Sequence, residues 1–487
     1  MKKSILIVVL SIFFTLSLNA EKRNVLLIAI DDLRPELGCY GKKEVISPNI
    51  DKLAARGVRF DHAYTQQAVC GPSRVTLLSG TRPDGNWHLP KKFFSKDLPS
   101  LPHYLRMQGY KTYSIGKLYH HNQDDPDGFD VGPWNPWDNF DSWQSYVGKE
   151  SKEIKKQHQK EHKSKSAGGP LYECLDVDDS AYPDGMTADK AIAHMRELKG
   201  DKPFFMAVGF VKPHLPFNAP KKYWDMYDPN KIELPTRTTP PDHVSPYGRT
   251  RLETWPEMRN YAGVPETGPV SDELTKKLIH GYRACISHVD AQVGRLIAEL
   301  DKKGLKENTL IIIWGDHGFK LGEYGAWVKH TNFEIDTRIP LIVVDPKAKV
   351  KGVGSEALVE TVDVAPTIAS WCGLEIPKHW EGSSVTPLLN SPNLTWKEAA
   401  FSQYRSTHGK INAMGRSIRT KDFRYVEWTH KKKGIVAQEL YDHRTPGLEV
   451  KNLSVNPEYK DTLKKLSTLL DNGHGWRKVR SELSHSH

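Results

Sequence analysis

Val25-Leu26-Leu27-Ile28-Ala29-Ile30-Asp31-Asp32 is an apolar run that stops on two adjacent carboxylates. It does not alternate, so it does not read as a strand with one wet face. Its length and composition fit a strand buried on both sides. Three further stretches share the design. Thr112 to Ile115 runs into Gly116-Lys117, Phe204 to Phe210 into Lys212-Pro213-His214, and Thr309 to Trp314 into Gly315-Asp316-His317. Helical patterns lie between them, at Asn49–Arg56 behind Ser47-Pro48, at Leu98–Gly109 and at Ala188–Leu198. The longest runs from Ser271 to Lys303, with Asp272 and Glu273 in its first turn and Gly304 after its end. Strands alternating with helices predict an α/β fold, a large doubly wound, mostly parallel sheet flanked by helices. Ligands of such sheets gather beyond the carboxyl ends of the strands. All four polar clusters fall there.

After about residue 375 the pattern changes. Arg416–Trp428 and Gln438–Tyr441 read as strands and Asn456–Leu470 as a closing amphipathic helix. A smaller C-terminal α+β subdomain with an antiparallel sheet is therefore expected over 376–487, behind a main domain over 21–375. Residues 1–20 read as a signal peptide, with Lys2 and Lys3, an apolar run from Ile5 to Leu18, and Ala20 at the cleavage point. That places the mature chain in the periplasm or outside the cell, clear of the membrane; a retained anchor is the alternative. Two long stretches, 121–186 and 228–270, interrupt the alternation. The first holds Trp134, Trp137 and Trp143 and a Lys/His-rich run from Lys149 to Lys165; the second is rich in proline. They are expected to shape a pocket rim or to be mobile surface.

The 487 residues are 38% hydrophobic and 26% charged, an ordinary globular balance that excludes a disordered chain. The formal net charge is +10, or +8 without Lys2 and Lys3. Such a surface concentrates anionic ligands or simply confers solubility. Five widely spaced cysteines, at 39, 70, 174, 285 and 372, show no CxxC zinc pattern. Cys39, Cys285 and Cys372 read as small core residues, and Cys174 as a candidate for exposure.

Cys70 stands apart. In Cys70-Gly71-Pro72-Ser73-Arg74, Pro72 suits the first turn of a helix, which puts Cys70 at the positive helix end, where an anion is favoured. Arg74, one turn on, reaches back to the same point. A buried thiol at a helix start is the plain alternative. Adjacent carboxylates such as Asp31-Asp32 are costly to ionise unless a cation holds them, and oxygen-rich ligation favours calcium or magnesium over zinc. Taken alone, the pair reads equally as a turn cap. Arg74, Lys117 and Lys329 form a cationic set, with His120, His214 and His330 near them in sequence. Asp31, Asp32 and Asp316 with one divalent cation carry −1; the three bases bring the site to +2, which attracts a monoanion.

The Cys70 segment, with its Leu78-Ser79-Gly80-Thr81-Arg82-Pro83 tail, resembles the signature of the formylglycine-dependent sulfatases of the alkaline-phosphatase-like superfamily. The resemblance implies that a maturation enzyme oxidises Cys70 to formylglycine, whose hydrate attacks sulfur and then expels sulfate through its second hydroxyl. It implies one calcium per chain, held by Asp31, Asp32, Asp316 and residue 70, with His317 where many sulfatases carry Asn or Gln. It gives Lys117 and Lys329 sulfate-binding roles, His120 the breakdown of the sulfated diol, and His214 a place near the leaving oxygen as a candidate general acid. Within the family the chain is similar to the iduronate-2-sulfatase members over most of its length. The matching stretches are Asp31 to Pro35, Gly38 to Gly41, Gln66 to Cys70, Val211 to Phe217, Asp290 to Leu296, Leu321 to Glu323, Asn332-Phe333 and Ser417 to Thr420. That implies an exo-acting enzyme for a 2-O-sulfated uronic acid of a sulfated oligosaccharide or polysaccharide, and no nucleic-acid partner. The stretches 121–186 and 228–270 depart from the resemblance, and the cysteine pairs of the animal members are not evident. Two alternatives stay open: a phosphodiester or phosphonate monoester hydrolase of the same superfamily, and a non-catalytic carbohydrate-binding protein with an unmodified Cys70.

Overall fold

The computed structural model describes residues 23–83, 98–120, 125, 127–140 and 144–472. The expected signal peptide and Trp143 lie outside these. Eight strands form the main sheet: β1 (Asn24–Ile30), β2 (Val58–Tyr64), β3 (Lys111–Gly116), β4 (Val131–Trp134), β5 (Phe204–Phe210), β6 (Thr309–Gly315), β7 (Arg338–Val344) and β8 (Val353–Glu360). Their order is β8-β2-β7-β6-β1-β5-β3-β4. β1 lies parallel between β5 and β6, while β7 runs antiparallel to both β6 and β2. The sheet is thus mostly parallel, as its buried strands predict.

The unbroken apolar run of β1 has a direct cause. Leu26, Ile28 and Ile30 enter one core layer, whereas Val25, Leu27 and Ala29 enter the layer on the opposite face. Successive side chains of a strand point to opposite faces, so a sheet covered twice demands apolar residues at every position. Each Leu or Ile so buried contributes about 1.5–3 kcal/mol relative to exposure. The first layer is covered by the helix Asp272–Lys302, through Leu278, Tyr282, Ile286, Val289 and Val293. Ser271 caps that helix by accepting from the Leu274 N–H at 3.2 Å, as the sequence suggests. The second layer is covered by the helices Cys70–Ser79 and Val364–Trp371. Leu388 and Leu389, beyond residue 375, still pack in this layer.

The Lys/His-rich run is regular, forming the helix Lys149–Glu161, and β4 in the same stretch adds an edge strand. The helix expected from Ala188 starts earlier, at Pro183, whose ring suits the first turn. The strand expected over Arg416–Trp428 is two strands. Thr420 turns the chain by exchanging bonds with Phe423. The C-terminal antiparallel sheet is β9 (Ala400–His408), β10 (Ile411–Arg419), β11 (Phe423–His430) and β12 (Gly434–Asp442), closed by the helix Lys460–Asn472. It docks on the main sheet through buried charge. Lys397 meets Glu360, which Arg82 holds from within the main domain, and Arg419 and Arg424 meet Glu334. All five cysteines are free; Cys285 is buried, and Cys39, Cys174 and Cys372 are half-buried. No helix among the described residues is long and apolar enough to cross a membrane.

Candidate active site

Strand register assembles the site. Ile30 pairs with Gly315 and with Phe210, and Gly116 pairs with Gly209. The residues that follow, Asp31, Asp316 and Lys117, therefore leave the sheet at one edge. Two backbone bonds extend the ladder, from Asp31 N–H to Phe210 O at 3.1 Å and from Asp316 N–H to Ile30 O at 3.3 Å. Asp32 then takes a left-handed conformation, φ 56°, which is unusual outside glycine but tolerated by Asp. Two bonds hold it there. Its N–H donates to Asp316 Oδ1 at 2.9 Å, and the Tyr282 hydroxyl donates to its carbonyl at 2.7 Å.

The Cys70 helix is buried throughout. Thr65 donates to Ser73, and Ser73 to the Asp316 carbonyl, at 2.8 and 2.6 Å. This chain ties the helix start to the end of β6. Cys70 Sγ lies 3.3 Å from His317 Nε2 and 3.8 Å from Asp32 Oδ1. His317 Nδ1 donates to Gly318 O at 2.9 Å, which leaves Nε2 as a lone-pair donor facing Cys70 and Asp32.

The basic residues converge from three elements. Arg74, wholly buried, bonds Asp31 Oδ1 at 2.9 Å and Asp316 Oδ2 at 3.1 Å, and also the carbonyls of Lys117 and Leu118. Lys117 pairs with Asp31. Lys329 reaches Asp32 Oδ2 at 3.1 Å and lies 3.5 Å from His214 Nε2. His214 Nδ1 donates to Leu215 O at 2.6 Å, so Nε2 faces Lys329. His120 lies on the bend after β3 and is exposed, unlike these buried groups. Lys212, the other base after β5, is buried and bonds the carbonyls of His214 and Pro216, so it shapes the loop that carries His214.

One member had no signal in the sequence. Glu257, from the proline-rich stretch, reaches Lys329 Nζ at 2.8 Å and His214 Nε2 at 3.3 Å. A lone Glu in a loop carries no motif, and only the expectation that 228–270 forms the rim pointed toward it.

Burial and charge set the protonation. Burial opposes ionisation of Asp31, but Lys117 and Arg74 overcome it and hold its carboxyl well below the usual range. Burial pushes Asp32 up to about 7 despite Lys329, and raises Asp316 despite His317 and Arg74. Burial, with Asp31 beside it, also pushes the Cys70 thiol up, so the unmodified residue is a poor thiolate nucleophile.

Asp31 and Asp32 supply the oxygen donors that a hard divalent cation takes, while the His317 nitrogen and the Cys70 sulfur are softer donors. Asp31, Asp32, His317 and Cys70 each offer a donor atom within 4.8 Å of the others. A single ion with ligands at ~2.3–2.6 Å takes donors at that spacing. Burial raises the Asp32 carboxyl, with smaller upward contributions from Asp31 and Glu257, and a bound cation would oppose all three. Asp316 stands outside that group of four. Its Oδ1 accepts the N–H of both Asp32 and His317, and its Oδ2 meets Arg74.

The chain matches known proteins over most of its length. The family model "Sulfatase" matches residues 23–374, and that of "N-sulphoglucosamine sulphohydrolase, C-terminal" matches 322–474. The chain is 33% identical to iduronate 2-sulfatase of Mus musculus, over 83% of this chain and 84% of that protein. It is 29% identical to a sulfatase of Formosa agariphila, over 92% and 86%. Among solved structures, one in complex with its substrate D-glucosamine-2-N,6-O-disulfate aligns at a TM-score of 0.71 and 26% identity, covering 92% of this chain and 97% of that one. A phosphonate monoester hydrolase of Silicibacter pomeroyi aligns at 0.73 and 25%, covering 95% of each. The first family match spans the strands that deliver Asp31, Lys117, His214 and Asp316 and the helix that carries Cys70 and Arg74, and on that match the chain belongs to the sulfatase family, as a sulfuric ester hydrolase.

Proposed function

We propose that the chain removes sulfate from sugars of a sulfated polysaccharide or glycosaminoglycan, acting from the chain end on a 2-O-sulfated uronic acid. The observation that carries the reaction is the meeting of Asp31, Asp32, His317 and Cys70 in one buried group, faced by Lys117, Lys329 and His214. The similarity to iduronate 2-sulfatase of Mus musculus supports the sugar. The mature protein is proposed to be periplasmic or secreted, and to meet a formylglycine-generating enzyme during its synthesis.

In this reading formylglycine at residue 70 supplies an oxygen nucleophile and a second hydroxyl through which sulfate leaves. Calcium, when bound by Asp31, Asp32, His317 and residue 70, with Asp316 as a further ligand beside the N–H groups its Oδ1 accepts, would supply positive charge against the sulfate oxygens. The chain's own residues do the rest. Lys117 and Lys329 each give up part of a carboxylate contact to bind the incoming monoanion. Arg74 stays in place and keeps Asp31 and Asp316 aligned. His214 presents Nε2 to the leaving sugar oxygen, its ring oriented by the bond from Nδ1 to Leu215. Burial and Lys329 favour its neutral form, so Nε2 first takes up a proton from the attacking hydroxyl or solvent and then passes it to that oxygen. His120, on the exposed bend, is assigned the breakdown of the sulfated intermediate.

The test is sulfate release from defined disaccharides, with conversion of Cys70 verified by mass spectrometry. The panel holds 2-O-sulfated uronates, 6-O-sulfated hexosamines and algal sulfated sugars. Release from 2-O-sulfated uronates alone supports the full reading; release from other sugars alone keeps the reaction and discards the uronate. Cys70→Ala is expected to abolish turnover and leave the fold intact. The likeness to a phosphonate monoester hydrolase favours a second reading, hydrolysis of phosphodiesters or phosphonate monoesters. No sulfate release by fully converted protein would select it.

A further inference from the structure

Lys329 already has a carboxylate partner in Asp32, at 3.1 Å. Glu257 adds a second carboxylate to the same ammonium, and its Oε1 also faces His214 Nε2 at 3.3 Å. Its Oε2 lies 3.8 Å from His330 Nε2. The Glu257 side chain is 21% exposed, whereas that of Lys329 is 2% exposed, so Glu257 stands on the open side of the lysine. Packing fixes this position. Glu257 belongs to the short helix Pro256–Arg259, and its neighbours Trp255 and Met258 are buried in the first core layer. A further negative charge is thus built in on the open side of Lys329, where an incoming anion must pass.

We propose that Glu257 sets the charge of the ester that the site accepts, admitting monoanions such as sulfate esters and rejecting dianionic phosphate monoesters. The inference rests on the sulfatase reading and deepens it. The repulsion between a fixed carboxylate and a bound anion scales with the charge of that anion. At about 5–6 Å and an effective dielectric near 20, each unit of ligand charge is penalised on the order of a hundredfold in affinity. A phosphate monoester loses its second proton near pH ~6 and is a dianion at pH ~8, while a sulfate ester stays a monoanion. The two are otherwise close in shape, so charge is the property by which the pocket can separate them. A phosphodiester is also a monoanion and passes the same filter.

The experiment compares the wild-type chain with Glu257→Gln, which keeps the shape and removes the charge, and Glu257→Asp, which keeps the charge. Binding of phenyl sulfate, phenyl phosphate and diphenyl phosphate is measured by calorimetry at pH ~8, in a Cys70→Ala background that cannot turn over. Turnover of the corresponding 4-nitrophenyl esters is measured with converted protein. Expected is a rise in phenyl phosphate affinity relative to phenyl sulfate of at least about tenfold in Glu257→Gln. Diphenyl phosphate should follow the sulfate ester, and Glu257→Asp should keep the wild-type ratio of phosphate to sulfate affinity. In Glu257→Gln the ratio of kcat/KM values should move in the same sense as the affinity ratio. Equal shifts for all three ligands, or no shift, overturn the proposal. Glu257→Ser provides the same test should the Gln variant fail to fold. A wild-type enzyme that turns over no sulfate ester would instead bring down the sulfatase reading, whereas sulfate turnover with an unmoved ratio brings down this inference alone.

Discussion

Arg74→Met tests whether the site is held together by its own ion pairs. The guanidinium bonds Asp31 and Asp316 with all three side chains fully buried, and it also serves the carbonyls of Lys117 and Leu118. Methionine fills much of the volume but leaves Asp316 with His317 as its one basic neighbour and Asp31 with Lys117 as its ion-pair partner. Removing one partner of a buried pair costs about 3–5 kcal/mol, because the other charge is left without compensation. The two carbonyls that lose a donor push toward the upper end, while the apolar contacts of methionine offset part, so the expected loss is about 4 kcal/mol. That is a large share of a typical folding free energy of ~5–15 kcal/mol. The assay is urea unfolding followed by circular dichroism, in chelator, so that no added cation screens the carboxylates. Asp316→Asn in the Arg74→Met background should then restore stability by about 1–2 kcal/mol. The amide oxygen can still accept the N–H groups of Asp32 and His317, and the orphaned charge is gone. A loss below about 1 kcal/mol in the single variant, or simple additivity in the double, would refute the reasoning.

Three further outcomes are expected. Calcium at about a hundredfold excess over its dissociation constant should add about 2.7 kcal/mol of stability, read as a rise in Tm against chelator, and Asp32→Asn should abolish most of that rise. Burial opposes ionisation of Glu360, but Arg82 and Lys397 hold its carboxyl down to about 2, below its ordinary 4.5. A depressed carboxyl stabilises above the unfolded value and loses that contribution as pH falls, so on the order of 3 kcal/mol should vanish between about pH 4.5 and 2. Arg82→Met should flatten that acid limb in urea midpoints, and an unchanged limb would count against the pairing. Gly80 has φ +66°, and a Cβ there would sit 2.5 Å from Trp380 Cγ, so Gly80→Ala should cost about 2–4 kcal/mol by thermal unfolding.

The catalytic edge was legible in the sequence because each strand of a doubly covered sheet announces its end by an abrupt change from apolar to charged. Asp31, Lys117, His214 and Asp316 follow such changes, and the structure brings them to one edge. The long helix was legible from its Ser271 cap and acidic first turn. Stretches that match the iduronate-2-sulfatase members outside the signature prove to be clamps. Asp290 caps the helix Pro48–Ala54 by accepting the N–H of Asn49 and Ile50 at 3.0 and 2.7 Å, and Arg34 pairs with Glu323 at 2.7 Å. Less was legible where position depends on tertiary packing alone. Nothing local marks β7 as antiparallel, because a buried strand reads the same in either direction. Glu257 enters the site through the packing of Trp255 and Met258, which leaves no periodic trace. The Lys149–Glu161 helix buries one residue, Ser151, so its sequence offered no apolar stripe to announce it.

The bond from Asp32 N–H to Asp316 Oδ1 joins residues 284 positions apart, and Cys70 meets His317 across 247. A ribosome adding ~5–20 residues per second needs about 10–50 s to go from Cys70 to His317. For the later part of that interval the thiol is outside the ribosome while its partners after β6 do not yet exist. Once the strands close, Cys70 is 4% exposed, beneath a lattice of ion pairs. Chemistry that needs a protein-sized reagent at this sulfur is therefore limited by the clock of synthesis and folding, and slowing the assembly of β6 onto β1 would lengthen the time available for it.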